Sequence, residues 1–155
     1  MPFVRYLIVV LFLALQGCNP GASTTDSPFA PPDFALQIST KSRGINQDPL
    51  EQTSQYILLN DRSLRVAIGA GATGDFFPQL TRKLSPSEYE LVYQIVRQHK
   101  LLRFRSNTDS SWPAIYHVQI TANGRTHRYM TRTRRSAGTR ELVGELMKLS
   151  SGRGG

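Results

Sequence analysis

The sequence predicts a small α+β domain: an antiparallel sheet with two helices packed on one of its faces. Three observations predict it. Apolar and polar residues alternate in short segments between Phe34 and Leu84 and again between Ile115 and Thr131. An Asn-Gly pair joins two of those segments, the pairing expected of a tight hairpin. Two stretches with helical spacing, one after Ser85 and one from about Ala137, each carry a single apolar stripe that needs a sheet face to cover.

The elements follow in order. Phe34, Leu36, Ile38 and Thr40 alternate with Ala35, Gln37, Ser39 and Lys41, the pattern of a half-buried strand. Residues 42–53 are polar and turn-forming. Gln55 to Leu59 is a second strand, Asn60 to Ser63 a turn, and Leu64, Val66 and Ile68 the inward face of a third strand. A glycine loop follows at Gly69 to Gly74. Phe76 to Leu84 is a further extended segment, with Pro78 keeping its start to an edge.

Ser85-Pro86-Ser87-Glu88 is a capping box with proline at the first helical position. The helix it starts carries Leu91, Val92, Ile95, Val96 and Leu102 as its apolar stripe. Arg103 to Trp112 is a polar loop. Ile115–Thr121 and Thr126–Thr131 then flank Ala122-Asn123-Gly124-Arg125, where Asn-Gly supplies the positive φ angles of a type I′ turn. That turn sets Ile120 opposite His127, Val118 opposite Tyr129 and Tyr116 opposite Thr131, and puts Tyr116, Val118, Ile120, His127 and Tyr129 on the core face. The closing helix, to about Leu149, turns Leu142, Leu146 and Leu149 to one side, with Gly144 weakening it slightly. Residues 151–155 form a fraying tail.

The N-terminus has a different character. Met1 to Arg5 holds one positive charge, and Tyr6 to Leu15 is an apolar run of 10 residues. A spanning helix needs roughly 20 residues, so the run has the length of a signal-peptide core. It ends in Leu15-Gln16-Gly17-Cys18, and Cys18 is the only cysteine, with no disulfide partner in the chain. A small residue before the cysteine and an aliphatic one three before it resemble the lipobox of bacterial lipoproteins, from which Gln16 departs by its bulk and polarity. The resemblance implies a signal peptide over 1–17, diacylglyceryl transfer to Cys18 and cleavage before it. Asn19, where Asp would signal inner-membrane retention, implies an outer-membrane anchor facing the periplasm. Two or more acyl chains make such attachment stable. Residues 18–33, rich in Pro, Ser and Thr, read as the lipidated cysteine and a flexible tether, reaching on the order of 50 Å if extended. Residues 34–150 form the single domain, of a size that supports one core.

The 155-residue chain carries a formal charge of +8, with arginine far outnumbering lysine, and removing residues 1–17 takes away only Arg5 among the charged groups. An exported basic domain suggests anionic partners: lipid or lipopolysaccharide phosphates, peptidoglycan carboxylates or an acidic protein face. Export argues against nucleic acid. Arg128, Arg132 and Arg134 would share the strand face opposite the core if extended geometry ran to residue 134, with Arg125, Arg135 and Arg140 nearby. Residues two apart on a strand face stand about 6.8 Å from each other, a spacing that suits a row of carboxylates or phosphates. A solvated, aggregation-resistant edge is the bland alternative. Trp112 is a second candidate contact, or else a plug beside the hairpin.

Other motifs point less far. Gly69-Ala70-Gly71-Ala72-Thr73-Gly74 matches G-x-G-x-x-G, but Asp75-Phe76-Phe77-Pro78 follows where a nucleotide site needs a helix. His117 and His127 face opposite sides of the hairpin, which argues against a shared metal. Asp109, Ser110 and Ser111 are ordinary loop residues, and with His117 they lack any sign of an oxyanion hole. The expectation is a non-catalytic binding module with no cofactor and no metal. The order of strands, S-P-x-E helix, N-G hairpin and closing helix over residues 64–149 also resembles emfourin-like metalloprotease inhibitors. That resemblance carries over no functional residue, and it implies inhibition of an exported protease as the alternative.

Overall fold

The computed structural model describes residues 27–43, 47–72, 77–107 and 114–152. Cys18, Trp112 and Asp109 to Ser111 fall outside them. Six strands, β1 (Ala35–Ser42), β2 (Ser54–Leu58), β3 (Ser63–Ile68), β4 (Leu80–Lys83), β5 (Ala114–Ala122) and β6 (Arg125–Arg132), form one antiparallel sheet in the order β4-β3-β2-β1-β5-β6. Helices α1 (Pro86–Gln98) and α2 (Ala137–Ser150) complete the α+β fold. The first four strands are a meander. α1 then carries the chain back across the sheet, so that the β5–β6 hairpin lies against the free side of β1.

The helices cover one face. Leu36 and Ile38 of β1, Tyr56 and Leu58 of β2, Leu64 of β3, Tyr116, Val118 and Ile120 of β5 and Tyr129 of β6 are all buried there. They join Val92, Tyr93 and Val96 of α1 and Leu142, Val143, Leu146 and Leu149 of α2 in one apolar cluster. Full burial of each such aliphatic side chain stabilises the fold by about 1.5–3 kcal/mol, so this face dominates the energetics.

The hairpin has the register its sequence dictates: Ile120 pairs with His127, Val118 with Tyr129 and Tyr116 with Thr131. Asn123 and Gly124 take φ angles of 54° and 70°, as the turn requires. Their amides donate to the two carboxylate oxygens of Asp33, at 2.9 and 2.6 Å. Asp33 lies in the segment assigned to the tether, and Ala30 is anchored too, its amide donating to both oxygens of Glu90 in α1. Phe34 follows fully buried, its ring edge-on to Tyr89 and Tyr93.

α1 begins at the predicted box. The Glu88 amide donates to Ser85 Oγ (3.2 Å), and the Ser85 amide donates to Glu88 Oε2 (2.7 Å). The same carboxylate accepts from Arg82 of β4, which also donates to the Leu149 carbonyl near the end of α2. One arginine thus joins an edge strand, a helix start and a helix end. The apolar stripe needs correction. Leu91 is 42% exposed, Leu102 lies past the helix end in a short 3-10 turn, and the buried row is Tyr89, Val92, Tyr93, Ile95 and Val96. With the helix centred on Val92 and Val96 over the sheet, its 3.6-residue period brings 89 and 93 inward and carries 91 out. Ile68 is likewise exposed at the end of β3, beyond the helices. The free side of β6 is partly covered by the loop after α1. There the Asn107 amide donates to the Met130 carbonyl (3.1 Å), and the Met130 amide donates to Ser106 Oγ (3.0 Å), a common protection for an edge strand.

Candidate functional site

The predicted row of three arginines does not form. β6 ends at Arg132, and Thr133 to Arg135 turn toward Ser136, whose side chain accepts from the Thr139 amide to cap α2. Arg134 therefore leaves the strand face. Its Nε donates to Glu51 Oε1 at 2.7 Å and its Nη2 to Oε2 at 3.3 Å. Arg132 keeps its register opposite Ile115 but is only 6% exposed. Of the three, Arg128 alone presents an exposed side chain on that face. Trp112 lies outside the described residues.

The partner that removes Arg134 was not legible in the sequence. Glu51 ends a short 3-10 turn, Pro49–Glu51, and its side chain is fully buried. Besides Arg134 it accepts from the Thr133 hydroxyl at 3.1 Å. Asp48 caps the same turn by accepting from the Leu50 amide, and it also binds Arg140 of α2. The Tyr116 hydroxyl donates to the Leu50 carbonyl at 2.8 Å. Hydrogen bonds from Arg134 and Arg140 hold the Glu51 and Asp48 carboxyls below their ordinary values, against the opposing effect of burial. The cluster is a clamp that fastens a polar loop to the beginning of α2. Asp48-Pro49, a cap residue before proline, was the available local signal for the turn. The partners of the Glu51 carboxylate, Thr133 and Arg134, lie more than 80 residues away in sequence.

A broader feature appears once the strands are placed. Among the described residues, the six strands carry no Asp or Glu, while they carry Lys41, Arg65, Arg82, Lys83, Arg125, Arg128 and Arg132. The described carboxylates all serve the fold. Asp33 holds the hairpin turn, Asp48 and Glu51 form the clamp, and Asp61 accepts from Ser63. Glu88 caps α1, Glu90 holds Ala30, Glu141 pairs with His99, and Glu145 with Lys148. Register puts Lys41, Arg65, Lys83, Arg128 and Arg132 on the sheet face away from the helices and Arg82 and Arg125 on the other. The described strand positions of the outer face therefore hold cations and no carboxylate, with Asp61 of the β2–β3 turn acting on Lys83 and Arg65.

That outer face is organised by register. Gln37, Gln119 and Arg128 stand side by side across β1, β5 and β6, and Ser39, His117 and Met130 form the next row. Lys41 lies in the row beyond, opposite Ile115. Arg128 Nε donates to Gln119 Oε1 at 2.7 Å. A shallow groove of about 370 Å³ runs here, lined by Gln37, Ser39, His117, Gln119, Arg128 and Met130 among others. Partial burial, and next the Lys41 charge, lower the His117 pKa from its ordinary value, which favours the neutral imidazole. Farther along the face Arg65 is engaged, donating to the Pro78 carbonyl and lying 4.8 Å from the Phe77 ring centre.

A second hollow, of about 430 Å³, lies beside the end of α1 and includes Arg97, Lys100 and Arg103 in its lining. Cations there complement the negative end of the helix dipole, so this cluster has a structural explanation that the sheet face lacks. The three histidines are dispersed. His99 bonds Glu141, His127 bonds the Phe104 carbonyl, and His117 lies on the outer face. Among the described residues no three His, Cys, Asp or Glu side chains converge as a metal site. Gly69–Ala72 forms a 3-10 turn, and the rest of that glycine motif lies outside the described residues. No described helix is long and apolar enough to cross a membrane. The chain matches no protein-family model, and no curated protein matches it.

Proposed function

We propose that this protein is a lipid-anchored binding module of the bacterial cell envelope, working without catalysis, with acylated Cys18 as its anchor and an anionic or protein partner as its cargo. The segregation of charge carries this reading. Among the described residues the carboxylates are bonded to partners of the fold's own and none lies on a strand, and the open sheet face is left basic, an arrangement that raises the local concentration of anions. The anchor is supported by the Leu15-Gln16-Gly17-Cys18 sequence after its short apolar run, and Asn19 favours the outer membrane, facing the periplasm.

Two measurements test the reading. Metabolic labelling with a palmitate analogue should mark the wild-type protein and not the Cys18→Ser variant, whereas an unlabelled wild type would remove the anchor. Crosslinking in intact cells, followed by affinity isolation, should then recover a specific partner. Recovery of nothing beyond bulk lipid would remove the binding role.

A further inference from the structure

We propose that the outer face of the sheet, between Arg128 and Lys41, binds an acidic glycan strand, with the two cations meeting its anionic groups and Gln37, Gln119, Ser39 and His117 meeting its hydroxyls. The inference rests on the reading of the chain as an envelope binding module and gives that module a site and a ligand class.

Spacing favours a polymer over a small anion. Lys41 lies four residues along β1 from Gln37, and Gln37 is in the row of Arg128, two strands away. At about 3.4 Å per residue and 4.8 Å per strand, their two backbone positions stand roughly 14 Å apart along the strands and 10 Å across them. A single phosphate or carboxylate spans both only if the two long side chains lie flat toward each other, which the Arg128 bond to Gln119 opposes. An extended chain with repeated anionic groups spans both without that, and it would lie over the rows between them.

The groups between the cations choose the chemistry of that chain. Two primary amides, a hydroxyl and an imidazole offer donors and acceptors in pairs, which suits ligand hydroxyls that both give and take hydrogen bonds. Gln119 Oε1 is already used by Arg128, so its amide nitrogen remains as a donor. An acidic protein surface fits less well. Protein interfaces draw their energy from buried aromatic and aliphatic anchors, and in the groove the exposed large apolar side chain is Met130, at 40%. The described N-terminal segment leaves this face open, because Ala30 is bonded to α1 and Phe34 packs against its tyrosines.

Full-length protein purified in detergent is titrated with carboxymethyl-dextran, uncharged dextran and poly-glutamate in parallel. The expected order is carboxymethyl-dextran, then poly-glutamate, then dextran, with affinity for the first falling as salt rises. The Lys41→Gln, Arg128→Gln double variant should bind carboxymethyl-dextran at least about tenfold more weakly, as loss of charge-assisted contacts requires. Gln37→Ala with Gln119→Ala should erase the preference over poly-glutamate. Arg97→Gln with Lys100→Gln, in the other basic hollow, should change nothing. Circular dichroism establishes that each variant is folded. Equal binding of poly-glutamate and carboxymethyl-dextran by the wild type, or an unweakened double variant, would overturn the assignment. If the titrations fail while crosslinking in cells still recovers a partner, the site falls and the binding module stands. If both fail, both fall.

Discussion

Two glycines in α2 should respond to alanine with opposite signs. A Cβ built on Gly138 would sit 2.4 Å from both Cβ and Cγ of His99 and 2.9 Å from its Nδ1. Carbon atoms in contact rest about 3.5–4.0 Å apart, so roughly 1 Å of separation has to be found. His99 cannot supply it by rotating, because the clash begins at its Cβ. Its backbone closes α1, donating to the Ile95 carbonyl at 3.1 Å, and its Nε2 is bonded to Glu141 of α2 at 2.8 Å. The ends of the two helices must therefore move apart. Overpacking of this kind costs about 1–3 kcal/mol, and better helix propensity returns at most about 1 kcal/mol in a helix interior, less in the first turn. Gly138→Ala should then destabilise by about 1–2 kcal/mol, lowering the urea midpoint by about 0.5–1 M for a slope near 2 kcal/mol/M. Gly144 has open space where its Cβ would be, so Gly144→Ala should stabilise by about 0.5–1 kcal/mol. Urea unfolding followed by far-UV circular dichroism measures both. A Gly138→Ala protein as stable as wild type would refute the close contact between helices, and a destabilised Gly144→Ala would refute the attribution of the difference to His99.

Two further predictions concern charge. Glu51→Ala should lower stability by about 1–3 kcal/mol, mainly by leaving the buried Thr133 hydroxyl without its acceptor, and urea unfolding should show a much smaller loss for Glu145→Ala at the surface pair with Lys148; equal losses would mean that the clamp is not structural. Stability should fall with acid in two stages. His117 is held below its ordinary 6.5 when folded, so the unfolded chain binds the extra proton first and stability begins to drop below pH 6.5; His117→Gln should remove this stage in a urea series across pH. Glu51 is held below its ordinary 4.5. Its contribution is complete above that pH and is lost as pH falls through the folded value, a stage that Glu51→Gln should shrink while leaving the first intact.

Local rules were enough wherever the deciding contacts were local. Asn123-Gly124 fixed the hairpin register because that turn leaves the flanking strands one way to pair, and Ser85-Pro86-x-Glu88 fixed the start of α1 because both halves of its cap lie within four residues. The arginine row failed for the complementary reason. Whether β6 runs on to Arg134 depends on Glu51, which sits in a loop distant in sequence, and on the need to turn before the Ser136 cap. The same contacts explain what the arginines do instead. A basic chain that folds with few carboxylates must use them where burial or a helix end makes an anion valuable, and this one uses those described at caps, turns and clamps. Strand positions were left to neutral and cationic residues, so the sheet's open face became basic, while on the helix side carboxylates pair with Arg82, His99, Arg140 and Lys148. That distribution could have been counted as soon as the strands were drawn, and it points past Arg132 and Arg134, both taken up by the fold, to Arg128, Lys41 and the amides between them.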